Sequence, residues 1–371
     1  MNKEYYSLGL MSGTSLDGID ASIILSDGEN KLEIIDNYYE KYDDKFKLEL
    51  RKFINQATSI DFINKNKSNY SKLEKQITLL HINASQKILE KNKDIDIDLI
   101  GFHGQTILHS PSNKFSIQMG DPILFSEKFK KKVCFNFREK DIQNGGEGAP
   151  LSPIYHYLLF KKLKFASPTI FLNLGGIANI TFIDKNEEIH STDVGPGNCL
   201  IDKWTRDNSK KNFDLGGSIA KSGKIDKTIL NKAINNWRND FIKKSLLNKS
   251  YDIKDFNTSF VKKLNLKDGA ATITEYTSQI LADYFNNIED DKTKIIICGG
   301  GRKNNFLLRN IFNKTKFQFE LVDKYNINGD FIESQAFAYL AIRSYLKKNI
   351  SFPSTTGVAN PISGGKIFKN F

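Results

Sequence analysis

The chain has 371 residues, of which 39% are hydrophobic, 26% charged and 12% aromatic. That balance suits a sizeable core in two domains and excludes both a disordered chain and a collagen-like fibre. The formal net charge of +11 comes mostly from lysines in short tracts at 128–132, 161–164 and 243–244, so attraction of anionic metabolites is expected rather than nucleic-acid binding.

In chain order, Tyr5–Leu10 reads as a strand, a polar glycine turn follows, and Ile19–Leu25 resumes strand character. Asp27-Gly28 signals a hairpin into a third strand over Lys31–Tyr38. Lys45–Leu89 carries helical spacing at Leu73, Ile77, Leu80, His81 and Ala84. Ile97–His103 and Lys132–Phe137 read as buried strands, and the glycine-rich segment 144–150 leads into a helix from Leu151. Thr169–Leu174 and Asn179–Ile183 form a second strand-glycine-strand hairpin of the same kind as the first. Asp193–Trp204 reads as a turn into a helix, Asp207–Asp255 as a Lys/Asn-rich insertion, and Ala271–Phe285 as a helix. The strand Lys294–Cys298 runs into three glycines, and Glu333–Lys347 is the final helix. Alternating strands and helices argue α/β layers with mixed sheets, as two related halves with a boundary near residues 130–150.

No apolar run approaches the roughly 18 residues of a membrane helix, and Met1 to Tyr6 lack a signal-peptide core. A cytoplasmic protein without a membrane partner is expected. Cys134, Cys199 and Cys298 stand far apart in no metal-ligand spacing, which reads as reduced, buried thiols.

Several segments carry the chemistry of phosphate binding. Gly13-Thr14-Ser15 offers close backbone approach and two hydroxyls, and Asp17 offers a carboxylate for Mg²⁺ or its waters; the alternative is a polar hairpin turn. No Walker motif occurs, which disfavours a P-loop enzyme. Gly175 and Gly176, with Asn179 beside them, supply a second glycine turn that serves either as a phosphate grip or as a strand bulge. Gly299, Gly300 and Gly301 present bare backbone for an adenine or ribose, or simply lead into a helix. Asp193, ahead of a rigid Gly-Pro turn, serves as a general base, as a helix cap or as a Mg²⁺ ligand. Arg138 suits a substrate carboxylate and Asp141 sugar hydroxyls, with a surface ion pair as the alternative. His103 and Gln105 line the same pocket or serve structure, and Glu333 either contacts substrate or caps its helix.

Together these segments resemble the anhydro-N-acetylmuramic acid kinases of the sugar-kinase/heat-shock-ATPase/actin superfamily. The resemblance rests on GLMSGTSLDGID at 9–20, GFHGQT at 101–106, GDP at 120–122 and FREKDIQNGGEGAPL at 137–151. It continues through NLGGIANIT at 173–181, DVGPGN at 193–198, CGGGRKN at 298–304 and ESQAFAYLA at 333–341. It implies two actin-like (ribonuclease H-like) domains with mixed five-stranded sheets around a central ATP cleft. The first would span 1–135, completed by the C-terminal tail, and the second 136–371.

The resemblance also implies an ATP-dependent phosphotransferase of cell-wall recycling and amino-sugar catabolism. Such an enzyme opens 1,6-anhydro-N-acetylmuramic acid with water, phosphorylates O6, and releases N-acetylmuramate 6-phosphate and ADP. By position Asp193 matches the base. Ser12, Gly13, Thr14, Ser15, Leu16, Asp17, Gly18 and Ile19 match the ATP-phosphate loop, with Mg²⁺ bridging the phosphates and Asp17 reaching it through water. Gly175, Gly176, Asn179 and Gly299–Gly301 complete the nucleotide contacts, and His103, Gln105, Arg138, Asp141, Gly197, Asn198 and Glu333 the sugar contacts. A homodimer is implied as well. Two departures stand out: the base motif has Val194 where Thr is usual, and a Lys-Ser-Thr-Gly segment is matched only loosely by Lys249-Ser250-Tyr251-Asp252. The alternatives are a plain hexose or N-acetyl-sugar kinase of the same superfamily, or a nucleotide switch without sugar turnover.

Overall fold

The computed structural model describes residues 3–245, Tyr251 and residues 253–371. They form two compact units, one running to Lys164 and taking up Phe331–Phe371, the other spanning Phe165–Asp330. Both are α/β with a mixed sheet.

In the first unit β1 (Tyr5–Ser12), β2 (Gly18–Ser26) and β3 (Leu32–Lys41) form an antiparallel meander. Next come β4 (Leu99–Ser110), parallel to β1, and β6 (Lys132–Phe135), parallel to β4. In the second unit β7 (Thr169–Leu174), β8 (Ile177–Ile183) and β9 (Ile189–Pro196) repeat the meander. There β10 (Lys294–Cys298) and β11 (Phe319–Leu321) repeat the parallel pair. Three antiparallel strands followed by two parallel ones, in the order 3-2-1-4-5, is thus the plan of both units.

The first sheet corrects the expected five strands to seven, and the reason lies at its edges. Strand β4 outruns β1, pairing with it only as far as Gln105, and β5 (Phe115–Met119) covers the stretch from Gln105 to Ser110. The last strand, β12 (Lys366–Phe368), pairs antiparallel with β6 and covers that edge. Covering exposed backbone donors and acceptors is the usual way to block edge-to-edge association.

The boundary also differs from the expected 135/136 break. The helix Pro153–Lys162 belongs to the first unit because it buries Tyr155, Leu158 and Leu159, and the Tyr155 hydroxyl donates to Gln335 Oε1 at 2.8 Å. Gln335 lies on the helix Ile332–Tyr345, which packs on β1 and β4 at unusually close range. Gly9 and Gly101 are direct neighbours across that strand pair. A Cβ on the first would fall 2.0 Å from Ser334 O and on the second 2.2 Å from Phe337 O, so only glycine lets the helix backbone rest there.

Periodicity is otherwise a fair guide. The stretch Lys45–Leu89 resolves into helices Asp44–Gln56, Ile60–Lys65 and Lys67–Lys91, with Asp43 and Ser59 capping the first two. The insertion-like stretch contains the helix Lys227–Ser245, and Leu266–Asn286 buries one face against the second core. Cys134, Cys199 and Cys298 are buried thiols. Among the described residues no helix is long and apolar enough to cross a membrane.

Candidate active site

The turn between β1 and β2 is held from below and open above. Buried Ser12 donates to Gln105 Oε1 at 2.7 Å and shares a hydrogen bond with the Tyr42 hydroxyl at 2.8 Å. Gln105 Nε2 in turn donates to Gly13 O at 3.3 Å, and Leu16, at φ +57°, closes the turn by donating to the same carbonyl. Ser12 and Gln105 therefore brace the loop, while Thr14 and Ser15 are exposed at its crest. Gly13 has no neighbour close enough to hinder a Cβ, the nearest being Ser15 Oγ at 4.0 Å. Asp17 is salt-bridged to Lys47, whose side chain is nearly buried. Gly18 and Ile19 are buried at the start of β2.

The remaining first-unit residues converge on Arg138. His103 is buried, its Nδ1 bonds to Gly104 O at 2.8 Å, and a carbonyl only accepts, so the ring proton sits on Nδ1. That leaves Nε2 to accept from Arg138 Nε at 3.2 Å and Nη2 at 3.0 Å. Arg138 Nη1 donates to Gly148 O at 2.7 Å. Burial pushes the guanidinium pKa down to about 10, with Glu333 and Asp141 pulling it back up. Glu333, in the first turn of Ile332–Tyr345, is solvent-accessible, yet desolvation by the protein around it raises its carboxyl pKa against the pull of Arg138. Burial first and Arg138 second hold His103 well below the usual histidine range, so it stays neutral.

Asp141 departs from its expected role as an acceptor of sugar hydroxyls. It is buried, one oxygen accepts Gly148 N–H at 2.6 Å, and the other accepts the Thr356 hydroxyl at 2.6 Å. Its carboxylate folds the glycine loop that holds Arg138 and ties it to the C-terminal segment.

In the second unit three separated motifs meet around Leu174–Gly175. Gly197, Asn198 and Cys199 N–H groups donate to Gly176 O, Gly175 O and Gly176 O at 3.0, 2.9 and 3.1 Å. A Cβ on Gly197 would lie 2.3 Å from Gly175 O. Asn198 Nδ2 adds contacts to Leu174 O and Gly175 O. Gly197 and Asn198 thus fix the β7–β8 turn, whereas the sequence suggested sugar contacts. Gly175 itself has room for a Cβ, and Gly300 has nothing within 4 Å.

The sheet aligns the polar side chains. Asn173 pairs with Asn179, and Asn179 with Asp193, so all three project from the same face of β7, β8 and β9. Asp193 Oδ2 accepts the backbone N–H of Tyr251 at 2.8 Å. The Tyr251 ring packs with Trp237 and Phe256, and burial together with the Asp193 charge pushes its hydroxyl up to about 12. Of the loosely matched 249–252 segment, only Tyr251 lies within the described residues.

Sequence reasoning named Asn173 only within its glycine motif and Tyr251 only within a loosely matched segment, and it missed Tyr42 and Lys47. Asn173 had a signal: it mirrors Asn179 across the glycine turn, and hairpin pairing makes them neighbours. The others act through long-range contacts that no spacing rule reveals.

A family model described as "Anhydro-N-acetylmuramic acid kinase" matches residues 4–370. The chain is 48% identical to the protein of that name from Pelagibacter ubique, covering 100% of both chains. It is 38% identical to the one from Zymomonas mobilis, covering 97% of this chain and 99% of that one. Among solved structures it is similar to an activator of 2-hydroxyisocaproyl-CoA dehydratase from Clostridium difficile with bound ADPNP, at 13% identity and TM-score 0.43, covering 93% and 99%. A second is a ROK family glucokinase from Streptomyces griseus in complex with glucose and AMPPNP, at 12% identity and TM-score 0.36, covering 90% and 97%. Matched by the family model from residue 4 to residue 370 and by full-length relatives well above 30% identity, the chain belongs to the anhydro-N-acetylmuramic acid kinase family.

Proposed function

We propose that this protein opens 1,6-anhydro-N-acetylmuramic acid with water and transfers the γ-phosphoryl group of ATP to O6, giving N-acetylmuramate 6-phosphate and ADP, in peptidoglycan recycling. The observation that carries this is Asp193, a carboxylate on β9 that accepts the Tyr251 N–H and is aligned with Asn173 and Asn179. Asp193 takes a proton from water as its oxygen attacks the anomeric carbon. The C1–O6 bond breaks, and O6 leaves onto phosphorus instead of collecting a proton from an acid. One base is then enough.

Arg138 has five N–H donors, and its contacts with His103 and Gly148 use three of them. One donor on each terminal nitrogen remains, a pair suited to the lactyl carboxylate. Neutral His103 orients that fork, and Glu333 lies within its field as an acceptor for sugar hydroxyls. Gly13, Gly175 and Gly300, with room where a Cβ would be, suit the close approach of a nucleotide. Asp17 is salt-bridged to Lys47, so it would hold Mg²⁺ through the ion's waters. Mg²⁺, when bound, would offset charge on the ATP phosphates. ATP as donor accords with work in the cytoplasm, and the family likeness suggests a homodimer.

The test is incubation of the protein with Mg-ATP and 1,6-anhydro-N-acetylmuramic acid in ¹⁸O-water, followed by prompt mass spectrometry. A 6-phosphorylated sugar carrying ¹⁸O at C1 is expected. Phosphorylation of free N-acetyl sugars alone would move the assignment to a plain sugar kinase, and no product on any sugar would remove the kinase assignment altogether.

A further inference from the structure

Arg302 follows the glycine turn that closes β10, a place where an arginine is easily read as a phosphate ligand. Its contacts exclude that role. The side chain is 4% exposed. Nε donates to Asp323 Oδ2 at 2.7 Å, and Nη2 donates to Asp323 Oδ1 at 2.9 Å and Asn328 Oδ1 at 3.2 Å. Nη1 donates to Asp330 Oδ1 at 2.6 Å and Gly299 O at 3.1 Å. A guanidinium has five N–H donors, and all five are accounted for.

The same segment grips the turn from a second side. Gly299 N–H donates to Gly329 O at 3.1 Å, and Arg302 N–H donates back to Gly299 O at 3.2 Å. Gly329 crosses the guanidinium so closely that a Cβ there would lie 2.5 Å from Nε. Residues 323–330 thus wrap Arg302, and together they hold Gly299 at φ +81°. The next residue, Gly300, lies outside the left-handed region and has nothing within 4 Å of a Cβ. Nothing in the fold around it requires glycine there, whereas a ligand lying on its backbone does.

We infer that Arg302 is a positioning residue for the nucleotide: clamped by Asp323, Asn328 and Asp330, it sets the Gly299–Gly301 backbone on which the adenine or ribose of a nucleotide lies, without touching the nucleotide. This rests on the nucleotide-binding role proposed above. Lysine at this position keeps the charge but cannot span acceptors on three sides.

The experiment is ADP titration calorimetry on the full-length chain, with melting curves and Michaelis constants for both substrates. Wild type is expected to bind ADP. Arg302→Lys should bind it about tenfold more weakly, with the KM for ATP raised in proportion and the KM for the sugar moved less than about twofold. Equal ADP affinity in folded Arg302→Lys, with only a lower melting temperature, would overturn the inference by showing a purely structural clamp. If Arg302→Lys does not fold, Asn328→Ala removes one contact of the five. It should still weaken ADP measurably, and unchanged affinity there overturns the inference too. A wild type that fails to bind ADP would instead sink the nucleotide-binding role, and this inference with it.

Discussion

Replacing Asp193 with Asn separates chemistry from folding at the proposed base. The carboxylate accepts the backbone N–H of Tyr251 at 2.8 Å, and an amide oxygen can accept the same bond. What is lost there is the charge assistance, about 1 kcal/mol of stability, or about 2–4 °C in melting temperature. A general base contributes about 10²–10⁴ in rate, which is about 3–5 kcal/mol of barrier. The second figure is the larger, so a folded but inactive variant is expected, with ADP affinity unchanged. The assay is sugar-dependent ADP release at saturating ATP, beside a melting curve and calorimetry. Turnover within tenfold of wild type would show that the water is activated elsewhere.

Gly300→Ala should leave the melting temperature within about 1–2 °C, since nothing meets its Cβ, yet weaken ADP severalfold in the same titration. Gly101→Ala should behave oppositely: its Cβ meets Phe337 O at 2.2 Å, so a loss of about 1–3 kcal/mol in urea melts is expected, together with lost activity as Glu333 shifts. Stability should also fall in acid through the buried histidines. Burial lowers His81 to about 4 and His156 to about 3 from 6.5. Unfolding therefore takes up protons below about pH 6.5, and stability is flat above that point and falls as pH drops towards the folded pKa values. At pH 5 each histidine costs about 2 kcal/mol relative to neutrality. Urea midpoints from pH 7.5 to 4.5 check this, and a His81→Asn, His156→Gln double variant with an unchanged slope would refute it.

The strands were legible because apolar alternation and glycine turns are local. β1, β2, β7, β8 and β10 fall where the pattern puts them. β5 and β12 were not, since these strands of five and three residues exist only because a neighbouring edge needs cover, and β11, the short last strand of the second sheet, is too brief at three residues to show a pattern. The site was legible as a set of glycines and carboxylates but not in its division of labour. Asp141 and Gln105 look like ligand groups, and in the structure both brace loops. Arg302 stands in the sequence only as part of the glycine motif, and residues 323–330, which carry no motif of their own, take most of its donors.

What the sequence by itself determined is the duplicated α/β plan, the glycine turns and the family to which the chain belongs, because each depends on residue type at short, fixed spacing. Only the tertiary structure decided which polar groups face a ligand and which serve the fold. A buried donor or acceptor must find a partner, and that partner, such as Thr356 for Asp141 or Asp323 for Arg302, comes from chain far along or wrapped around it. Packing also decided why Gly9 and Gly101 are glycines. A helix more than two hundred residues later lies on their backbone, and no local pattern announces that contact.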